Sequence, residues 1–250
     1  MTTTDRRAPG TVDYFASDVH LAAERPRVSQ LFLRFCDHVR EDANRLFLLG
    51  DIFDLWVGAK QERVPYVLPI LEKLRELIAE GIEVHYIAGN RDFNFDAALN
   101  PDASDHALPE SMSVEAAGRR LYLTHGDLLC TGDLAYGRAR TVLRSGPLRA
   151  VANNLPLSFA TFVSTGYRRL SERETARKTR LEIAVNFGRV RSHLTAGHDV
   201  VVCGHVHRAA RYQVDLPGGK RGEFITLGEW SRRGSFLEAR DGELNLRRFA

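Results

Sequence analysis

The spacing of apolar positions changes along the chain, and the changes mark its elements. Val12–Ser17, Arg45–Leu49 and Ile82–Ala88 read as short strands, and Leu46–Leu49 is a continuous apolar run of the kind buried on both faces. Between them the period is helical. Pro26 opens a segment with Val28, Leu31, Phe32, Phe35 and Val39 on one stripe. Val64–Ala79 carries a second stripe, Val67, Leu68, Leu71, Leu74, Leu77 and Ile78, with Gly81 as its stop. Strand, helix, strand, helix, strand predicts an α/β fold.

Residues 94–112 have the composition of a loop. Ser113–Ala116 and Arg120–Thr124 then flank Ala117-Gly118-Arg119, which predicts a hairpin. From about Asp133 to Gly197 strand signals vanish and helical segments follow, broken near Gly146-Pro147 and Leu155-Pro156. Asp199–Cys203 resumes the strand pattern. Phe224–Leu227, Ser235–Ala239 and Leu244–Arg248 are expected as closing antiparallel strands. The expected organisation is a core of residues 1–132 and 197–250, interrupted by a helical insertion at 133–196. There is no internal repeat and no low-complexity tract.

Composition narrows this modestly. At 250 residues the chain can bury a substantial core, and a net charge of +3 is too small to argue for nucleic-acid binding. Its distribution matters more. The insertion is rich in arginine, with Lys178, against Glu172, Glu174 and Glu182, and it holds an apolar cluster at Leu155, Leu157, Phe159, Phe162 and Val163. Cys36, Cys130 and Cys203 form no Cys-x-x-Cys, which fits a reducing compartment better than a disulfide framework. Residues 1–10 are polar, without the apolar stretch of a signal peptide. No apolar segment approaches the roughly 18 residues needed to cross a bilayer.

The chemistry lies at the strand ends. Five apolar runs each finish in groups that can ligate a metal: Asp18-Val19-His20, Gly50-Asp51, Gly89-Asn90-Arg91-Asp92, His125-Gly126-Asp127 and Gly204-His205-Val206-His207. A carboxylate after one buried strand is ordinarily a turn residue. Five such ends in one α/β chain converge if they share a sheet edge, where ligands bind in open α/β folds. Their oxygen and nitrogen donors suit Mn²⁺, Fe²⁺ or Zn²⁺. Seven candidate ligands are too many for one ion. They fit two ions sharing a carboxylate, an arrangement that clamps a phosphoryl group. Two divalent ions are the expected cofactors.

This order of blocks resembles the calcineurin-like metallophosphoesterase superfamily, which implies a β-sandwich core flanked by helices. The resemblance implies Asp18, His20, Asp51 and His207 around one metal, and Asp51, Asn90, His125 and His205 around the other, with Asp51 as bridge. Most of the superfamily has Gly-Asn-His where this chain has Gly89-Asn90-Arg91-Asp92-Phe93. That block, together with Gly50-Asp51-Ile52-Phe53-Asp54-Leu55-Trp56, His125–Cys130 and Gly204–Arg208, is similar to the UDP-2,3-diacylglucosamine pyrophosphohydrolases of lipid A synthesis. The narrower resemblance makes Asn90 and Arg91 a phosphate-contacting pair, joined by His205. It makes Asp133, Tyr136, Ser171 and Lys178 further substrate contacts, the insertion a lid, and the inner membrane's cytoplasmic face the site of peripheral attachment. Thr175 stands where Asn is expected, keeping a hydroxyl and losing the amide. Ala209 and Ala210 follow Arg208, and Val206 replaces the more familiar Thr; neither change touches a ligand.

Arg91 has a chemical reading of its own. A histidine could protonate an alkoxide leaving group, whereas arginine stays charged throughout. An enzyme lacking that acid needs a leaving group that departs as an anion, as the phosphate half of a pyrophosphate does. Asp51, Asn90, Arg91 and His205 are accordingly the expected catalytic residues, and an acylated UDP-sugar the expected substrate. The rival readings are a dinuclear phosphoesterase for another nucleotide or phosphodiester, a nuclease, and a non-catalytic scaffold. The nuclease lacks an aromatic-basic stacking pattern, and the scaffold is opposed by intact ligand blocks. Neither a nucleic acid nor an obligate protein partner is expected.

Overall fold

The computed structural model describes residues 12–56, 58–92, 95, 109–130 and 185–250, which form two five-stranded sheets packed face to face with helices outside. In the first sheet β1 (Val12–Ala16), β2 (Ala43–Leu48) and β3 (Glu83–Tyr86) run parallel, and β9 (Gly234–Arg240) and β10 (Glu243–Phe249) add an antiparallel pair beside β1. The second sheet has the order β4 (Ser111–Ala116), β5 (Arg119–Thr124), β6 (Val200–Cys203), β8 (Arg221–Thr226) and β7 (Ala210–Asp215). Its central three strands, β5, β6 and β8, are parallel.

The two-residue period of a strand explains the layering. Phe15, Phe47, Leu49, Val200 and Val202 point into the space between the sheets with Leu121, Leu123, Ile225 and Leu237. The alternate residues Tyr14, Ala16, Leu46 and Leu48 face outward onto α1 (Pro26–Asp42) and α2 (Leu68–Ala79). Val201 and Cys203 face the other way, onto α3 (Phe187–Thr195) through Val190 and Leu194. Strands covered on both faces read as unbroken apolar runs. α1 has no side-chain cap at Arg25 but buries Val28, Leu31, Phe32, Phe35, Cys36 and Val39. At about 1.5–3 kcal/mol for each large apolar side chain removed from water, burial outweighs the missing cap.

Several expectations need correction. The second helix begins at Leu68, not Val64, because Pro65 holds Val64 in extended backbone. Its buried stripe is Ile70, Leu71, Leu74 and Leu77, while Leu68 and Ile78 are exposed. Gly81 does end it: Gly81 N–H donates to Ile78 and Ile82 N–H to Leu77, with Gly81 at φ 92°. The hairpin turn is Ala117-Gly118, both left-handed, so the pairing extends to Ala116 and Arg119. β7 is not among the expected strands because its polar, mostly exposed sequence gives little strand signal, and β8 is antiparallel to β7 on one side but parallel to β6 on the other. The expected insertion was carried to residue 196, yet α3 packs against the second sheet as part of the core. Residues 131–184, with the apolar cluster at Leu155–Val163, lie outside the described residues.

Candidate active site

The five blocks meet, but not along one sheet edge. β1, β2 and β3 of the first sheet and β5 and β6 of the second open their carboxyl ends onto a shared cleft across the top of the sandwich. The loops after β1 and β2 continue the parallel pairing past the strands. Asp18 N–H donates to Gly50 O at 3.2 Å, His20 N–H to Asp51 O at 3.1 Å, and Leu21 N–H to Ile52 O at 2.8 Å. The second sheet is tied in by His205 N–H, which donates to Asp18 Oδ2 at 2.9 Å.

The backbone turns sharply to present these side chains. Asp18, His20, Asp51, His205 and His207 all have φ between 53° and 68°, in the left-handed region that non-glycine residues avoid. Each such residue costs on the order of 1 kcal/mol or more, and such strain persists where the surrounding fold enforces it. Two glycines make the close approach possible. A Cβ on Gly89 would lie 2.2 Å from Asp51 Oδ1, and one on Gly204 would lie 2.0 Å from Ser17 Oγ and 2.2 Å from Asp18 Oδ2.

Two clusters of donors result. In the first, His207 Nε2 lies 3.4 Å and His20 Nε2 3.9 Å from Asp18 Oδ1, and the two Nε2 atoms are 3.2 Å apart. In the second, Asn90 Oδ1 lies 2.9 Å from His125 Nε2 and 3.1 Å from His205 Nδ1, with those nitrogens 3.3 Å apart. Asp51 stands between, its Oδ1 3.7 Å from His125 Nε2 and its neighbour Asp18 in the same ligand-distance group. All seven candidate ligands are therefore brought together. Asp18, Asp51, His20 and His125 are buried, and His207 is at the solvent edge.

The donor set fits cations. His20 Nδ1 is buried without a hydrogen-bond partner and Asp18 Oδ1 has only the long contact to His207 Nε2 at 3.4 Å, a costly state for buried polar atoms that an ion would relieve. His125 Nδ1 faces the Leu49 carbonyl at 2.9 Å, which fixes the proton there and turns the Nε2 lone pair into the cleft. Burial pushes Asp51 up to about 7, aided by the charges of Asp92 and Asp18 and opposed by His125. Burial also holds His20 down at about 3 and His205 at about 4. His207 goes the other way, to about 10, because hydrogen bonds to Asp18 and Glu229 outweigh burial. For Asp18 burial is likewise outweighed, by the His207 hydrogen bond and neighbouring histidines, and its carboxyl falls below the usual range.

Arg91 lies at the cleft with its guanidinium held by Asp54, Nη1 to Oδ1 at 2.9 Å, and Nε 3.6 Å from Asp51 Oδ2. Its backbone N–H donates to Asp51 Oδ1 at 2.9 Å. Asp54, unassigned from sequence, thus aims Arg91 and lies 3.9 Å from His20 Nδ1. Phe53 and Trp56 do not line the approach; they are fully buried against Phe95. Asp133, Tyr136, Ser171, Thr175 and Lys178 lie outside the described residues.

Two contributors escaped sequence reasoning. Asp92 is fully buried and accepts the N–H groups of Asp51, Ile52 and Phe53. Glu229 lies 3.5 Å from His207 Nδ1 and 3.3 Å from Arg25 Nη2. The signal for Glu229 was present: Phe224–Leu227 is a sixth apolar run, and it ends in Gly228-Glu229.

Comparison with known proteins extends over the whole cleft. Residues 14–233 match the model of the calcineurin-like phosphoesterase superfamily domain. The chain is 31% identical over 237 residues to a UDP-2,3-diacylglucosamine hydrolase of Actinobacillus succinogenes, covering 94% of this chain and 98% of that one. It is 33% identical over 238 residues to the one of Aeromonas hydrophila, covering 94% and 98%. Identity to the one of Pseudomonas aeruginosa is 34% over 226 residues, covering 90% and 93%. The chain belongs to the calcineurin-like phosphoesterase superfamily and, within it, to the UDP-2,3-diacylglucosamine hydrolase family.

Proposed function

We propose that this protein hydrolyses the pyrophosphate of UDP-2,3-diacylglucosamine, in lipid A synthesis, giving UMP and 2,3-diacylglucosamine 1-phosphate. The observation that carries the proposal is the placement of Arg91 beside Asp51, at the centre of two donor clusters. Asp18, His20, Asp51 and His207 would hold one divalent ion, and Asp51, Asn90, His125 and His205 the other, with Mn²⁺ the expected metal. Bound there, the ions would supply charge neutralisation at the phosphoryl oxygens and an acidified water.

The chain's own residues do the rest. The guanidinium of Arg91, aimed by Asp54, binds phosphate oxygens and stabilises charge as it develops. It carries no exchangeable acid, so the leaving group must depart as an anion. Asn90 and His205 border the same space and orient the α-phosphoryl group. Water attacks the α-phosphorus, the bond from that phosphorus to the bridging oxygen breaks, and the bridging oxygen leaves on the lipid phosphate. Asp133, Tyr136, Ser171, Thr175 and Lys178 would complete the substrate contacts in this proposal, with the insertion expected from residue 133 serving as the lid for the acyl chains. An amphiphilic substrate of this kind favours peripheral residence on the cytoplasmic face of the inner membrane.

Hydrolysis in ¹⁸O-water with Mn²⁺, followed by mass spectrometry, tests the proposal. Label is expected in UMP. Label in the lipid phosphate, or no turnover of the diacyl substrate, defeats it.

A further inference from the structure

Several arginines on the described surface are neutralised. Arg40 pairs with Glu80, Arg75 with Glu62, Arg119 and Arg211 with Glu223, Arg240 with Asp42, and Arg247 with Glu238. Arg27, Arg34 and Arg232 are instead gathered in one place. Their guanidinium groups make no ion pair among the described residues, although all three line one hollow of roughly 700 Å³ between α1 and the turn after Trp230. Asp37, one turn beyond Arg34, is taken by Lys73 at 3.0 Å. Gln30, Leu31, Leu33 and Ser231 complete the wall, so the hollow combines cationic, polar and apolar groups.

The hollow adjoins the cleft. Arg25, two residues before Arg27, donates to the carbonyl of Trp230, two residues before Arg232, and pairs with Glu229 beside His207. Trp230 N–H in turn donates to the Asp18 carbonyl. Arg27 and Arg34 lie seven residues apart on one helix, roughly 10 Å along its axis. That is too far for one phosphate to span and suits an array of phosphates on a surface.

We infer that this hollow is a docking surface for the phosphate headgroups of an anionic lipid bilayer, seating the protein with its cleft at the membrane. The orientation rests on the amphiphilic substrate proposed above. The apolar wall at Leu33 and the absence of an aromatic platform in the hollow favour a lipid surface over a nucleic acid.

Co-sedimentation of the full chain with vesicles of phosphatidylcholine, alone or mixed with phosphatidylglycerol, tests the inference. The protein should bind the mixed vesicles and not the neutral ones, and rising salt should release it. Arg27→Gln, Arg34→Gln and Arg232→Gln together should weaken binding by on the order of a hundredfold, at about fivefold per basic residue. The corresponding triple Lys variant should bind within a few-fold of the parent. Both variants should hydrolyse detergent-dispersed diacyl substrate at the parent rate, since none of the three residues belongs to the cleft. Parent-like vesicle binding by the Gln variant, equal binding of neutral vesicles, or displacement by millimolar inorganic phosphate would overturn the inference. If the parent does not turn over dispersed substrate, the proposed function fails, and the vesicle result still decides the hollow.

Discussion

The Asp92 carboxylate holds the backbone of Asp51: Oδ1 accepts the Asp51 N–H at 2.9 Å, while Oδ2 accepts those of Ile52 and Phe53 at 2.6 and 3.1 Å. Three orphan donors at the end of a buried strand are satisfied by one side chain. That bond set lets Asp51 sit at φ 53° with its carboxylate in the cleft. Asp92→Ala should cost about 3–5 kcal/mol in urea unfolding, because buried N–H groups lose a charged acceptor. Asp92→Asn keeps one acceptor but turns an amide donor toward the same N–H groups, so its cost should be roughly half as large. Both variants should retain less metal after dialysis, as measured by elemental mass spectrometry. Wild-type metal content in a folded Asp92→Ala protein would separate Asp92 from the geometry of Asp51.

The strand-end pattern makes the site legible in the sequence, because buried strands write themselves as apolar runs and a ligand directly after such a run stands out. Asp18, His20, Asp51, Asn90, His125, His205 and His207 were all legible this way. Their arrangement was not. The expectation of one sheet edge failed because strand order depends on long-range pairing, and nothing in the sequence of β5 says that it joins β6 rather than β3. β7 was invisible for a different reason: five of its six residues are not buried, so packing left little pattern in it. Asp92 and Glu229 act through backbone amides and ring nitrogens, partners that side-chain spacing does not reveal.

Arg91 is proposed to act on the phosphoryl group while its amide braces Asp51. Those duties separate by mutation, since Arg91→Ala keeps the backbone N–H. The variant should lose about 10²–10³-fold in kcat, the range for removing one preorganised charge-stabilising donor. Its metal content should be unchanged. Arg91→Lys should recover little, because a point charge cannot bond both Asp54 and a phosphate through a planar fork. Steady-state kinetics with parallel metal analysis distinguishes this from a merely structural ion pair, for which Asp54→Ala and Arg91→Ala would be equally mild.

Metal uptake should release protons. Without ions, Asp51 is pushed up to about 7 by burial, and His207 reaches about 10 through Asp18 and Glu229 despite burial. Both therefore carry protons near neutrality and must lose them to ligate. His20 at about 3 and His205 at about 4 are already neutral. Apparent affinity should accordingly rise with pH between about 6 and 8, by up to tenfold per unit for each proton displaced. Calorimetric titration of Mn²⁺ in two buffers of different ionisation enthalpy reads this directly. Identical heats in both buffers would show that no proton leaves.

Glu229 closes a chain from Arg25 to the first donor cluster. Arg25 Nη1 donates to the His20 carbonyl at 3.1 Å, and Nη2 reaches the Trp230 carbonyl and Glu229 Oε1. Glu229 Oε2 then faces His207 Nδ1, leaving Nε2 toward Asp18. A carboxylate behind a ligating imidazole fixes its orientation and raises its basicity, and removing one lowers metal affinity by about 10–100-fold. Glu229→Gln should show that loss at one of the two proposed ions while leaving the His125 cluster loaded. It should also bring the His207 titration in metal-free protein below about 10, which an NMR pH titration follows. If His207 titrates unchanged and both ions bind with parental affinity, Glu229 serves only the surface pair with Arg25.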